Sequence, residues 1–191
     1  HCTATLNKGN LDRRFQTEPD RKLPDTWKHV TFRPVLICYT VGKTRYEKAP
    51  DDADFATLAR IAHLPLPPEM PSARFPVEEM YHGSRIAPKG LTHIHHFFLP
   101  RAAQALGTLW RKANAHPDPR IRHMLMFTVE QGVATMSVLN RYRSNQTSQS
   151  NQVMTGVYYV PSQIAEISVD YRFTSKVSAI SKTFTSNHAR A

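Results

Sequence analysis

The chain has 191 residues, 40% hydrophobic and 21% charged, proportions that suit one soluble globular domain with room for a loose arm. No apolar run approaches the ~20 residues of a spanning helix, and two cysteines, Cys2 and Cys38, supply neither a disulfide scaffold nor a zinc knuckle, so a reducing cytoplasm is the expected setting. The formal charge of +10 is uneven: residues 84–165 carry nine Lys/Arg against two Asp/Glu, residues 1–83 carry 12 against 11, and such a field attracts nucleic acid before membrane, unless it serves only solubility.

Residues 1–29 are polar, with Leu11, Phe15 and Trp27 scattered among charges and no period, which predicts an irregular arm packing through Phe15 and Trp27. The start at His1, with no charged or apolar leader, reads as no secretory signal and hints at an excised or processed piece. From Val30 the chain turns β-rich. Val30, Phe32, Val35, Ile37, Tyr39 and Val41, then Thr44-Arg45-Tyr46, predict a hairpin turning near Gly42. Pro34 should sit at an edge or bulge, and Cys38, beside Val35-Leu36-Ile37, reads as a small buried hydrophobe. Pro50 stops the second strand, and Asp51 or Asp52 can cap a short helix through Phe55, Leu58, Ala59 and Ala62.

Residues 64–88 hold six prolines and no sustained period, the signature of an extended connector packed along a surface through Leu66, Met70, Phe75 and Val77. A boundary between subregions could fall there. A helix is predicted from Leu99 to Ala113, with Pro100 in its first turn and Ala102, Ala105, Leu106, Leu109 and Trp110 at three-four spacing. His116-Pro117-Asp118-Pro119 breaks it, and a second helix runs from Arg120 to Met136. The run SNQTSQSNQ at 144–152 predicts a mobile polar loop, Val153–Val160 a strand ended by Pro161, and the stretch from Ile164 a final amphipathic helix through Val169, Phe173, Val177, Ile180 and Phe184, fraying after Ser186. The sum is an α+β fold, a hairpin or small sheet packed with three to four amphipathic helices: an arm at 1–29, one domain at 30–185 and a tail at 186–191.

Chemistry concentrates in two places. His93, His95 and His96 sit in Thr92-His93-Ile94-His95-His96, where histidines could ligate a transition metal, yet no neighbouring Asp, Glu or Cys offers a third ligand. Hydrogen bonding or phosphate contact at a helix entrance is the expected role. The segment Ser137-Val138-Leu139-Asn140-Arg141-Tyr142-Arg143 combines two guanidiniums, an amide and a ring that could grip phosphate, read a base and stack, or could simply finish a helix with cations suited to its dipole. The seven glycines are too scattered for a dinucleotide fingerprint or a P-loop, and no G-x-S-x-G occurs.

Several blocks in order carry a family resemblance. Gly90-Leu91-Thr92-His93-Ile94-His95-His96-Phe97-Phe98, Arg101 and Leu106-Gly107-Thr108-Leu109-Trp110, then Met126-Phe127-Thr128, Ser137 to Tyr142 and Gly156-Val157-Tyr158-Tyr159-Val160-Pro161-Ser162, resemble the middle of bacterial and archaeal S-adenosylmethionine-dependent DNA methyltransferases that modify the exocyclic amine of adenine or cytosine. Tyr39 to Lys48 and the Asp51–Asp54 cluster resemble that family's upstream block, so the likeness spans about residues 30–175. Ala102 stands where the family has asparagine. The F-x-G-x-G cofactor loop, the D-P-P-[YF] tetrapeptide and the zinc-type cysteine pairs are absent from the sequence. The resemblance implies a target-recognition-like module that binds no cofactor itself, in a parent enzyme that uses S-adenosylmethionine. The implied partners are DNA and the parent's remaining domains, and the expected DNA contacts are Lys89, His93, His95, His96, Arg101, Asn140, Arg141 and Arg143, with Tyr142 and Tyr159 as stacking rings for a flipped base. The alternatives are an interaction module docking an acidic partner or the missing catalytic domain, and a metal-dependent enzyme built on the histidines.

Overall fold

The structure, a computed structural model, describes residues 14–80, 83–154 and 156–188. Cys2, Leu11 and the last three residues of the tail lie outside them. The architecture is α+β: two separate two-stranded antiparallel sheets and four longer helices. Strands β1 (Phe15–Pro19) and β2 (Thr26–Val30) form the first hairpin, β3 (Ile37–Val41) and β4 (Thr44–Lys48) the second. Helix α1 spans Asp52–Ala62, the single turn α2 Gly83–Ile86, α3 Pro100–Asn114, α4 Pro119–Val133 and α5 Val169–His188.

Local chemistry explains these boundaries. Gly42, at φ +62°, turns β3 into β4 in a left-handed conformation that costs glycine nothing. Asp51 caps α1 in a full capping box with Asp54. Asp118 accepts the Arg120 and Ile121 amides at 2.8 and 3.2 Å and Pro119 opens α4, so the breaker between α3 and α4 is also the start signal of the second.

Two apolar clusters hold the molecule. One joins α3, α4 and α5 through Ala102, Ala103, Leu106, Val129, Met136 and Phe173, with Met70 of the connector beneath. The other gathers Val77, Ile86, Leu91, Phe97, Val138, Leu139 and Val160 from segments with little regular structure. Close approach selects glycine twice in the helices. A Cβ on Gly107 would overlap Pro67, and one on Gly132 would overlap the Phe173 ring.

Some expectations change. The arm is not irregular over its described part, because β1 and β2 pair along their whole length. Cys38 is exposed rather than buried: among the described residues its hairpin has two strands, and neither apolar cluster includes any of its residues. The described residues of the expected strand, 153–154 and 156–160, form none, and no described neighbour pairs with them. The last helix begins at Val169, five residues after Ile164. The loop at 144–152 is held by hydrogen bonds of Asn140 and Gln149.

Candidate functional site

A buried polar cluster lies where the β1–β2 turn meets the histidine segment. Asp20, His95 and His96 have side chains 3%, 3% and 2% exposed, so their chemistry is decided by each other and not by water. His96 receives the Thr92 and His93 backbone N–H groups on Nδ1, both at 3.3 Å. That network puts the ring proton on Nε2, which donates to Asp20 Oδ2 at 2.7 Å. His95 Nε2 lies 3.1 and 3.2 Å from the two Asp20 oxygens. The Lys22 and Leu23 amides, at 2.8 and 2.9 Å from Oδ1, complete the carboxylate's shell. Trp27 stacks on His96 and on His29, with centroids 4.3 and 3.7 Å away, and its indole donates to the Gly90 carbonyl at 2.6 Å.

The electrostatics follow from that shell. Burial alone would raise the Asp20 carboxyl, but the His96 bond, the two amides and the charge on His95 bring it down to about 2. Burial drives His96 down to about 4 against the opposing bond to Asp20, and drives His95 down as well against the opposing pull of Asp20. The working state at neutral pH is therefore an ionised carboxylate held by two neutral imidazoles.

Asp20, His95 and His96 also place three ligating atoms within 4.8 Å of one another. The third ligand missing from the local sequence thus arrives from 75 residues away. A metal on His96 Nε2 would need the proton on Nδ1, which instead faces two N–H donors. Hydrogen bonding suits this arrangement better than metal binding.

The neighbours of Asp20 extend the same junction. Arg21 donates to the carbonyls of Ala62 and Leu64 at the end of α1, at 2.9 and 2.8 Å. Lys22 Nζ donates to those of Pro67, Pro68 and Met70 in the connector, at 3.0, 3.2 and 2.8 Å. Three consecutive charged residues therefore tie one turn to three other segments. Sequence reasoning missed them because a charged run with no period reads as solvated, and only long-range pairing shows otherwise.

The basic segment divides between interior and surface. Asn140 is fully buried; its amide donates to Gln149 and Ala165 carbonyls at 2.9 and 2.8 Å and accepts the Gln152 N–H at 2.9 Å. Gln149 in turn bonds both backbone groups of Arg143, each at 2.9 Å. These bonds organise the polar loop. Lys89 is buried, with Nζ 2.9 Å from the Val160 carbonyl and 5.3 Å from the Tyr159 ring centroid. Lys89, His95, His96 and Asn140 thus face inward. His93, Arg141, Tyr142, Arg143 and Tyr159 are half-buried, and Arg101 is exposed but pairs with Glu166 through two contacts of 3.1 Å.

No protein-family model, no curated protein and no solved structure matches the chain.

Proposed function

We propose that this chain is a DNA-docking, target-recognition-like central module of an amino-group DNA methyltransferase, catalytically incomplete by itself. One observation carries the reading: blocks that the resemblance orders along the chain meet in space. The Val138 N–H donates to the Phe97 carbonyl at 2.8 Å, joining the histidine block to the Asn140 block. Lys89 joins the first of these to Val160, and Asn140 grips the segment at Ala165. Phe97, Val138, Leu139 and Val160 share one apolar cluster. Inward-facing Lys89, His95, His96 and Asn140 act here as positioning residues for the surface groups beside them.

DNA would be gripped by cations that the protein does not neutralise. Among the described residues, Arg85, Lys112, Arg120, Arg122, Arg141 and Arg143 make no ion pair with a carboxylate. Duplex affinity measured by fluorescence anisotropy should fall steeply with salt, and replacing both Arg141 and Arg143 by Ala should lower the log–log salt slope by about 2. Absence of binding at low salt would defeat the proposal.

A protein-docking role is the second reading, favoured by apolar side chains left in solvent. Ile121, Met124, Leu125 and Phe127 on α4, and Tyr39, Val41 and Tyr46 on the second hairpin, are all exposed.

A further inference from the structure

We propose that the open cleft between the polar loop at 148–150 and the first turns of α5 binds a phosphoryl group. The cleft, of about 660 Å³, is lined by Ser148, Ser150, Tyr171, Arg172, Thr174 and Ser178, with Asp170 at its edge.

Arg172 is the reason to look for an anion there. It is 7% exposed, and among the described residues no carboxylate pairs with it. One terminal nitrogen donates to the Gln131 carbonyl, while Nε is buried with no acceptor. A buried guanidinium with one neutral acceptor and no carboxylate leaves its charge uncompensated and its Nε–H without an acceptor, and phosphate oxygens match the guanidinium donor fork.

The hydroxyls supply the second half of the site. Ser148 Oγ accepts the Tyr171 hydroxyl at 3.0 Å and the Ser150 N–H at 3.4 Å. With both lone pairs used, its own proton is left to be donated to a further acceptor. Ser150, Thr174 and Ser178 add hydroxyl groups around the cleft. Asp170 opposes an anion, so binding should be moderate and should tighten when that charge is removed.

The ligand chemistry, a tetrahedral oxyanion, is shared by a DNA backbone phosphate and by free phosphate. The site does not depend on the DNA reading. Inorganic phosphate is titrated into the full chain at matched ionic strength against chloride, following backbone amide resonances of residues 148–150 and 170–174. Saturable shifts there are expected. Ser148→Ala should weaken binding by about tenfold and Asp170→Asn should tighten it by about fivefold. Both changes are at the surface, so they avoid the folding risk of replacing buried Arg172. No saturable shift, or two variants indistinguishable from the parent, overturns the site. Phosphate that duplex DNA displaces assigns the cleft to the nucleic-acid backbone, and phosphate that DNA leaves bound assigns it to a small phosphorylated ligand. Salt-dependent DNA binding with no phosphate shift removes the cleft and leaves the DNA reading standing.

Discussion

Asp20 accepts N–H donors from His95, His96, Lys22 and Leu23, and this one carboxylate joins the first hairpin to the body of the protein. Asp20→Asn keeps one acceptor oxygen but turns an NH2 group toward those donors, and should cost about 3 kcal/mol in urea unfolding. The histidines set a pH dependence of definite sign. The folded His96 takes up a proton near pH 4 and the unfolded ring near 6.5, so the unfolded state protonates first. Stability should be complete above pH 6.5 and decline toward pH 4, by up to about 3 kcal/mol from this ring alone. Asp20 adds its own loss only below 3.8, where the unfolded carboxyl protonates while the folded one waits until about 2. Unfolding curves from pH 7.5 to 4.5 check this, and His96→Gln should flatten them. The sequence left both histidines as hydrogen-bonding or phosphate-facing residues at a helix entrance and could not name their partner, since nothing local distinguishes Asp20 from a solvated acid. Asn140 shows the converse: its composition suited base reading, and the fold uses its whole amide to anchor a loop.

At the scale of elements, what the sequence revealed were those whose signal is local. Helices α3 and α4 appeared from three-four spacing bounded by Pro100, Asp118 and Pro119, and the second hairpin from its turn at Gly42. The expected strand at Val153–Val160 failed because β-propensity describes fitness for a pleated surface, and the described residues include no partner strand to make one. Val160 is instead buried in the second cluster, and its carbonyl is taken by Lys89. The α4–α5 contact depends on a feature that spacing alone cannot show, the absence of a side chain at Gly132 under the Phe173 ring. Gly132→Ala should displace that ring at a cost of about 2 kcal/mol even though alanine favours helix. Hydrogen exchange should then show α5 losing protection around Phe173 while α3 keeps its own. Equal loss across both helices would mean that α5 is integral to the core and not a detachable layer.

For the whole molecule, charge and apolar exposure pull in opposite directions. The net charge of +10 makes copies of the chain repel one another and attract polyanions, and both effects weaken as salt screens them. Exposed Met124 and Phe127 on α4, and Val41 and Tyr46 on the second hairpin, favour association, and salt strengthens that tendency by removing the repulsion. The two functional readings therefore predict salt responses of opposite sign. If the basic surface is the working face, DNA affinity falls by about two orders of magnitude or more between 50 and 200 mM salt and the free chain sediments as a monomer throughout. If the apolar surface is the working face, sedimentation velocity without DNA shows a monomer at low salt shifting to larger species as salt rises. Phe127→Glu should abolish that shift, because a carboxylate at the exposed centre of α4 cannot be buried in an interface without a partner, and should leave DNA affinity within about threefold of the parent. A chain that neither binds DNA at low salt nor associates at high salt would exclude the DNA-docking reading and self-association through the apolar surface together.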